Sequence, residues 1–269
     1  MITLVLIFVM GLCVGLLGSM LGIGGGVLII PLLTLLFGVD IKTAIGASII
    51  SVIATSSAAG AVYVGHGMTH TRLGMVLEIA TTLGAVAGSI TAVLLPARYL
   101  YGIFGLVLLY VVYSLRGLAG SEGGSQPTGL LDTSFIDPLT GGQVNYGVRR
   151  LKAGLAASFV AGNISGLLGI GGGIIKVPIM TLVMGMPFKA AIATSNFMIG
   201  VTAATSAVIY YGRGYILPDV AVPTALGVLA GAQIGPRLGG RARSGTLRLI
   251  FQVLLFAFAV QMLWKAIAR

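Results

Sequence analysis

Apolar residues along this chain gather into ten runs separated by charge, proline or glycine: approximately 2–21, 27–38, 44–65, 73–95, 99–115, 151–169, 174–186, 190–212, 219–236 and 246–267. Crossing the hydrocarbon core of a bilayer takes about 20 apolar residues as a helix, at about 1.5 Å each. The runs 27–38 and 174–186 are too short to cross alone, and both follow a glycine tract. The pattern predicts an all-α polytopic membrane protein of about ten helical segments. The first run has no basic residue before it and no small-residue cleavage pattern after it, so it is expected to be a retained helix and not a removable signal. Residues 116–150 break the pattern with SEGGSQPTG, LLDTSFIDPLTGG and the pair Arg149 and Arg150. Such a stretch buries too little apolar surface to offset the entropy of ordering, so a mobile aqueous linker is expected there. The chain then divides into a first membrane repeat at 1–115, a linker at 116–150 and a second repeat at 151–269.

The two halves are copies of each other. A constant offset of 147 residues aligns them without a gap from Gly15 on Gly162 to Gly88 on Gly235. LGIGGG at 21–26 falls on LGIGGG at 168–173, and Pro31, Thr34, Gly38, Lys42, Ser48, Thr55 and Tyr63 fall on Pro178, Thr181, Gly185, Lys189, Ser195, Thr202 and Tyr210.

Composition agrees with the run pattern. The 269 residues are 57% hydrophobic and only 8% charged, with 42 Gly, which excludes a soluble enzyme, a nucleic-acid-binding module or a disordered tail. The excess of 16 Lys+Arg over 6 Asp+Glu therefore speaks of orientation and anionic lipid, not of a nucleic-acid partner. If all five runs of each half change sides, one face collects Arg72, Arg116, Arg149, Arg150, Lys152, Lys189, Arg237, Arg241, Arg243 and Arg248. If the short runs are re-entrant, the same charges divide almost evenly. The positive-inside rule thus favours five plus five: inverted repeats, a cytoplasmic linker, both termini outside, and a multi-pass place in the cell membrane. The single cysteine, Cys13, permits no intrachain disulfide.

A short run that reaches one surface begins near the midplane, which puts Gly22–Gly26 and Gly169–Gly173 deep in the membrane. Non-helical backbone is tolerated there only when buried in protein or lining a cavity. Inverted repeats bring two such breaks together, with helix N-termini and backbone amides turned to the centre, an arrangement suited to an anion. Gly24, Gly25, Gly26, Gly171, Gly172 and Gly173 are therefore candidate ligand-binding positions, whereas scattered Gly84, Gly88 and Gly105 read as packing devices. A dinucleotide fingerprint fails: Val27 takes the third glycine position, no strand precedes the tract, and the second copy has Pro187 where an acid belongs.

Polar residues inside the apolar runs complete the candidate site. Lys176 lies three residues after Gly173, opposite Ile29 of the first copy, so its charge belongs to one half and reads either as an anion-facing cation or as a snorkelling anchor. Ser48, Thr194, Ser195 and Asn196 near the start of the third run of each half offer hydroxyl and amide donors, with N-capping as the plainer role of Ser48 or Thr194. Thr55 and Thr202 are expected to bond their own helices. Glu78, the one acidic residue in the interior of a spanning run, reads as a proton carrier or as an interfacial partner of Arg72 or a loop base. His66 and His70 are expected to be solvated, without the further ligands a metal needs.

With these residues in view, the chain resembles the TauE/SafE sulfite-exporter family of membrane permeases. The matching stretches are LGIGGGVLIIP at 21–31 with Lys42 and Ser48, LGIGGGIIKVP at 168–178 with Lys189, Ala190, Ala191, Thr194 and Ser195, and the Tyr-x-Gly-x-Gly endings at Tyr63, Gly65, Gly67 and Tyr210, Gly212, Gly214. The resemblance covers nearly everything outside 116–150. It implies transport of sulfite, sulfoacetate and related organosulfur anions, without cofactor or covalent chemistry. The linker is longer than in many members, and Gly46-Ala47-Ser48 replaces the usual Gly-Thr-Ser. A secondary transporter of a small oxyanion, working by alternating access, is the leading expectation; no feature fixes the coupling ion, for which a proton carried by Glu78 is one reading. A passive anion channel is second, since no charged ring or polar stripe marks a pore. An enzyme is third, for want of an acid–base pair, a nucleophile or a metal cluster. No feature fixes an oligomeric state.

Overall fold

The computed structural model describes residues 2–21, 25–117, 131–136, 142–239 and 244–268. The chain is helical throughout its apolar runs. The first half contains α1 (Ile2–Leu21), α2 (Gly26–Leu36), α3 (Ile41–Gly65), α4 (Thr71–Leu94) and α5 (Ala97–Gly117). The second contains α6 (Leu151–Leu168), α7 (Gly173–Pro178), α8 (Phe188–Gly212), α9 (Pro218–Gly239) and α10 (Ser244–Ala268). Among the described residues, α3, α4, α6, α8 and 18 residues of α5 are long and apolar enough to cross a membrane. Large apolar side chains such as Ile79, Leu83, Val208, Tyr211 and Trp264 face outward, as they do where lipid is the solvent.

The second helix of each half is short. In α2 the helix carries on past Pro31, whereas α7 widens after Pro178 into a π-helical turn, Ile179–Val183, closed by the Met184 N–H on the Ile179 carbonyl. A proline lacks the N–H of the regular ladder and its ring crowds the preceding turn, yet only the second copy widens beyond it.

Duplication in the sequence reappears as symmetry in the packing. Helix α1 lies along α9 and α4 along α6; α3 meets α8 and α5 meets α10; α3 also touches α9 and α4 touches α8. Exchanging every helix for the one five later maps these contacts onto themselves. Glycine sets the two closest pairs. A Cβ on Gly84 or Gly88 would overlap the carbonyls of Phe159 or Asn163, and one on Gly162 or Gly166 those of Thr81 or Ala85. Gly11 and Gly15 approach the α9 backbone at Thr224 and Val228 in the same way. This is the small-residue approach that lets membrane helices touch backbone to backbone. Gly105 packs likewise against Leu263.

The contacts also give directions. Gly162 with Thr81 and Gly166 with Ala85 advance together, so α4 and α6 run parallel. Gly46, near the start of α3, abuts Tyr215 just beyond the end of α8, while Gly60 faces Asn196 and Phe197 near the start of α8. Helices α3 and α8 are thus antiparallel, as are α5 and α10, where Gly102 faces Ala266 and Gly105 faces Leu263.

The linker departs from expectation. Residues Thr133–Ile136 (β1) and Gln143–Tyr146 (β2) form an antiparallel hairpin, with Thr133 opposite Tyr146 and Phe135 opposite Val144. These four residues share one face of the ribbon. Phe135 and Tyr146 bury that face among Met68, Leu73, Met184 and Ala190. His70 is not solvated. It is 5% exposed, its ring meets Tyr146 edge-on at 6.1 Å, its Nδ1 accepts the Leu73 N–H at the start of α4, and its Nε2 lies 3.0 Å from the Leu131 carbonyl. With Nδ1 as acceptor, Nε2 carries the proton and donates. The Arg149 N–H donates to Met184 O. The α3–α4 turn, the end of the π turn and the linker hairpin therefore meet at one end of the bundle. There, burial pushes the Tyr146 phenol above its ordinary range.

Candidate functional site

The glycine tracts behave differently in the two halves. Gly169, Gly171 and Gly172 have φ of +62°, +78° and +69°, the left-handed region where a side chain is strained. The break before α7 thus needs glycine for its conformation. In the first tract Gly25 has φ −67° and leads straight into α2, so its conformation suits any residue; Gly24 lies outside the described residues. The tracts do meet. A Cβ on Gly26 would lie 3.2 Å from Ile170 Cα, and the Ser48 hydroxyl lies between them, 2.8 Å from Gly169 O and 3.3 Å from Gly26 O.

Ser48 and Ser195 are equivalent in sequence but not in bonding. Helix α3 begins at Ile41 with Asp40 as its cap, the carboxylate accepting the Lys42 N–H at 2.9 Å, and α8 begins at Phe188. Ser48, Thr194, Ser195 and Asn196 therefore lie well inside their helices and are not N-caps. Ser48 holds the glycine carbonyls; Ser195, 1% exposed, faces Gly173, and its Oγ has no hydrogen-bond partner. Thr194 accepts the backbone N–H of His70 at 3.0 Å and so fastens the α3–α4 turn. The Asn196 amide donates to Ile192 O of its own helix at 3.0 Å.

Lys176 is 2% exposed. Side chains on a helix lean toward its N-terminus, which directs this one back along α7 toward the glycine break. Its Nζ donates to Thr202 Oγ1 of α8 at 3.2 Å and lies 3.6 Å from Glu78 Oε2 of α4. Thr202 in turn donates to Glu78 Oε1 at 2.6 Å, and Thr82 donates to the same oxygen at 3.3 Å. The partner of Glu78 is thus Lys176, not Arg72. Thr202 does reach Met198 O of its own helix at 3.2 Å, as expected, but it also bridges lysine and carboxylate. That second role was hidden because the three residues lie on α4, α7 and α8, and no local spacing joins them. Thr55 stays with its own helix, donating to Ser51 O at 3.0 Å.

The structure therefore brings Gly171–Gly173, Lys176 and Ser195 together, with Glu78 and Thr202 closing one side and Gly26 and Ser48 abutting the glycine break. Thr194 and Asn196 are engaged elsewhere. A buried ammonium, an unpartnered hydroxyl and glycine backbone can together hold a small oxyanion. Lys42 stands apart: its ammonium donates to Val93 O at the end of α4 at 2.8 Å and covers the Tyr215 ring.

Comparison with known proteins agrees with this architecture. The family model described as "Sulfite exporter TauE/SafE" matches residues 7–262. The "Probable membrane transporter protein YunE" of Bacillus subtilis is 27% identical over 270 residues, covering 98% of each chain. A "Probable membrane transporter protein" of Xylella fastidiosa is 27% identical over 95% of this chain and 92% of its own. The "Probable membrane transporter protein MJ0441" of Methanocaldococcus jannaschii is 24% identical over 98% and 96%. No solved structure matches. The chain is a polytopic membrane protein that belongs to the sulfite exporter TauE/SafE family of membrane transporters.

Proposed function

We propose that the protein is a secondary transporter that carries a small sulfur oxyanion such as sulfite, or an organosulfonate such as sulfoacetate, out across the cell membrane. One observation carries the reading. Lys176 is buried in an apolar helix bundle, yet it has a single hydrogen bond, to Thr202, and a carboxylate beyond hydrogen-bond length. An ammonium has three donors, and a buried one left short of partners is costly unless a ligand completes it. Ser195 and the glycine backbone at 171–173 supply neutral donors beside it, and the family name supplies sulfite as the first anion to try. This chemistry is binding and release; the chain acts as a carrier and not as an enzyme.

The symmetry supports an alternating-access mechanism. Parallel α4/α6 with antiparallel α3/α8 and α5/α10 is the pattern expected when each half crosses the membrane an odd number of times, which supports inverted repeats rocking about a midplane site. Had the short helices turned back, α3 and α8 would run parallel. The basic residues near the α3–α4 turn, the linker and the start of α8 support a cytoplasmic position for that end and outward-facing termini.

The test is flux in proteoliposomes with sulfite, sulfate, thiosulfate and sulfoacetate side by side. Saturable, gradient-dependent release of unaltered anion is expected. Linear, unsaturable flux would make the protein a channel, and an altered product would make it an enzyme.

A further inference from the structure

We propose that Glu78 is a built-in competitor of the transported anion: the anion takes its place on Lys176, Glu78 takes up a proton, and anion and proton cross together. The inference rests on the anion site proposed above.

The two carboxylate oxygens of Glu78 are held unequally. Oε1 accepts from Thr202 at 2.6 Å and from Thr82 at 3.3 Å, whereas Oε2, the oxygen turned to Lys176, accepts no hydrogen bond. At 3.6 Å, Oε2 and the ammonium are joined by charge attraction without a hydrogen bond. One oxygen is pinned to α8 and α4, and the other occupies the lysine loosely. An incoming oxyanion that makes short, charge-assisted bonds to the ammonium replaces a weak link with a strong one, and Thr202 and Thr82 keep Glu78 in position meanwhile.

Charge balance then decides what happens to Glu78, which is 9% exposed. In the empty site one ammonium faces one carboxylate. With the anion present, its charge and that of the carboxylate together exceed the one positive charge in a water-poor interior, and the low-cost outcome is a neutral carboxyl. Among the described residues, no other charge is placed to intervene. Of the helices packed on α4, α8 presents the Thr202 hydroxyl to Glu78, α6 and α3 present no charged or titratable group to it, and Lys176 of α7 is the cation that acts on it. The proton comes from water on the side the anion enters, rests on the carboxylate, and leaves with the anion on the other side. No covalent bond of the anion changes. Because Glu78 belongs to the first half and Lys176 to the second, loading loosens one link between the halves while the Thr202–Glu78 hydrogen bond persists.

The experiment measures binding and proton uptake by the purified full-length protein. The probes are sulfate, thiosulfate and sulfoacetate, whose charges are constant between about pH 6 and about pH 8. Uptake of one proton per anion makes the wild-type affinity fall about tenfold per pH unit as pH rises, with proton uptake visible to a pH dye. Glu78→Gln is expected to bind at least as tightly at the lower pH, with a shallower pH dependence and less proton uptake than the wild type, since Lys176 is then the one group of the pair left to gain a proton. Glu78→Asp, which keeps the carboxyl, is expected to keep the slope and serves where the glutamine variant folds poorly. A wild-type affinity that is flat with pH, or a slope and proton uptake undiminished in Glu78→Gln, overturns the inference and leaves the transport reading standing. Failure of the wild type to bind any of the three, or sulfite, defeats both.

Discussion

At the scale of single residues, the buried pair behaves as a unit, and its parts are not interchangeable. Lys176→Met leaves Glu78 without its cation, so the buried carboxyl must stay charged or take up a proton, a loss of up to about 3–5 kcal/mol in comparable settings. The double variant Lys176→Met, Glu78→Gln leaves no charge behind and is expected to recover most of that loss. Thermal unfolding in detergent gives the comparison, and equal losses in the single and double variants would show that the two residues do not interact. The glycines separate in the same way. At Gly172, with φ +69°, even alanine forces a left-handed conformation costing about 1–2 kcal/mol, and its Cβ would press on Ala161 O at 3.2 Å. At Gly25 the backbone is ordinary and the nearest neighbour is the Val228 side chain at 3.0 Å. Gly172→Ala is therefore expected to lower the melting temperature and anion affinity well beyond Gly25→Ala; equal effects would mean that both tracts are mere packing. The sequence exposed Lys176 because a lysine in an apolar run stands out, and Glu78 for the same reason. It did not reveal their pairing through Thr202, since contact across α4, α7 and α8 has no periodic signature.

At the scale of elements, helices were legible because each carries an apolar run bounded by charge, proline or glycine, and the repeat was legible because special residues recur in one register. Boundaries were less so. Asp40 ahead of Ile41 is a capping signal that moves the start of α3 ahead of the apolar run and turns Ser48 from a cap into an interior hydroxyl. The hairpin was hidden for another reason. Its strands, TSFI and QVNY, are four residues each, too short for alternation to stand out among Gly, Pro and Asp. What orders them is a docking surface made by α4, α8 and the π turn, which local sequence cannot show. Phe135→Ala removes an aromatic that meets Tyr146 at 6.1 Å and is expected to cost about 3 kcal/mol of docking. Hydrogen exchange reports it: the ladder amides of Thr133–Ile136 and Gln143–Tyr146 should lose protection while α3 and α8 keep theirs. Unchanged hairpin exchange would mean that the strands are stable without that contact.

At the scale of the whole molecule, the packing of α4 on α6, α1 on α9, α3 on α8 and α5 on α10 makes each half complete only in the presence of the other. The proposed orientation puts the linker inside the cell. With Cys13 replaced, a cysteine at Ser125 is expected to resist an impermeant thiol reagent in intact cells and to react after permeabilisation; ready labelling from outside would reverse the topology. Anion recognition itself is tested most directly by sulfite binding to three proteins: wild type, Lys42→Met, and the charge-neutral double variant Lys176→Met, Glu78→Gln. Lys42 serves as the control because its ammonium is engaged by Val93 O at the end of α4 and by the Tyr215 ring. Two unit charges attract several-fold more strongly in a dehydrated interior than at a wet surface. Lys42→Met is therefore expected to stay within about threefold of wild type, while the double variant loses at least about tenfold in affinity and remains folded. Sulfite binding by the double variant equal to that of wild type would remove Lys176 from the site and contradict the assignment.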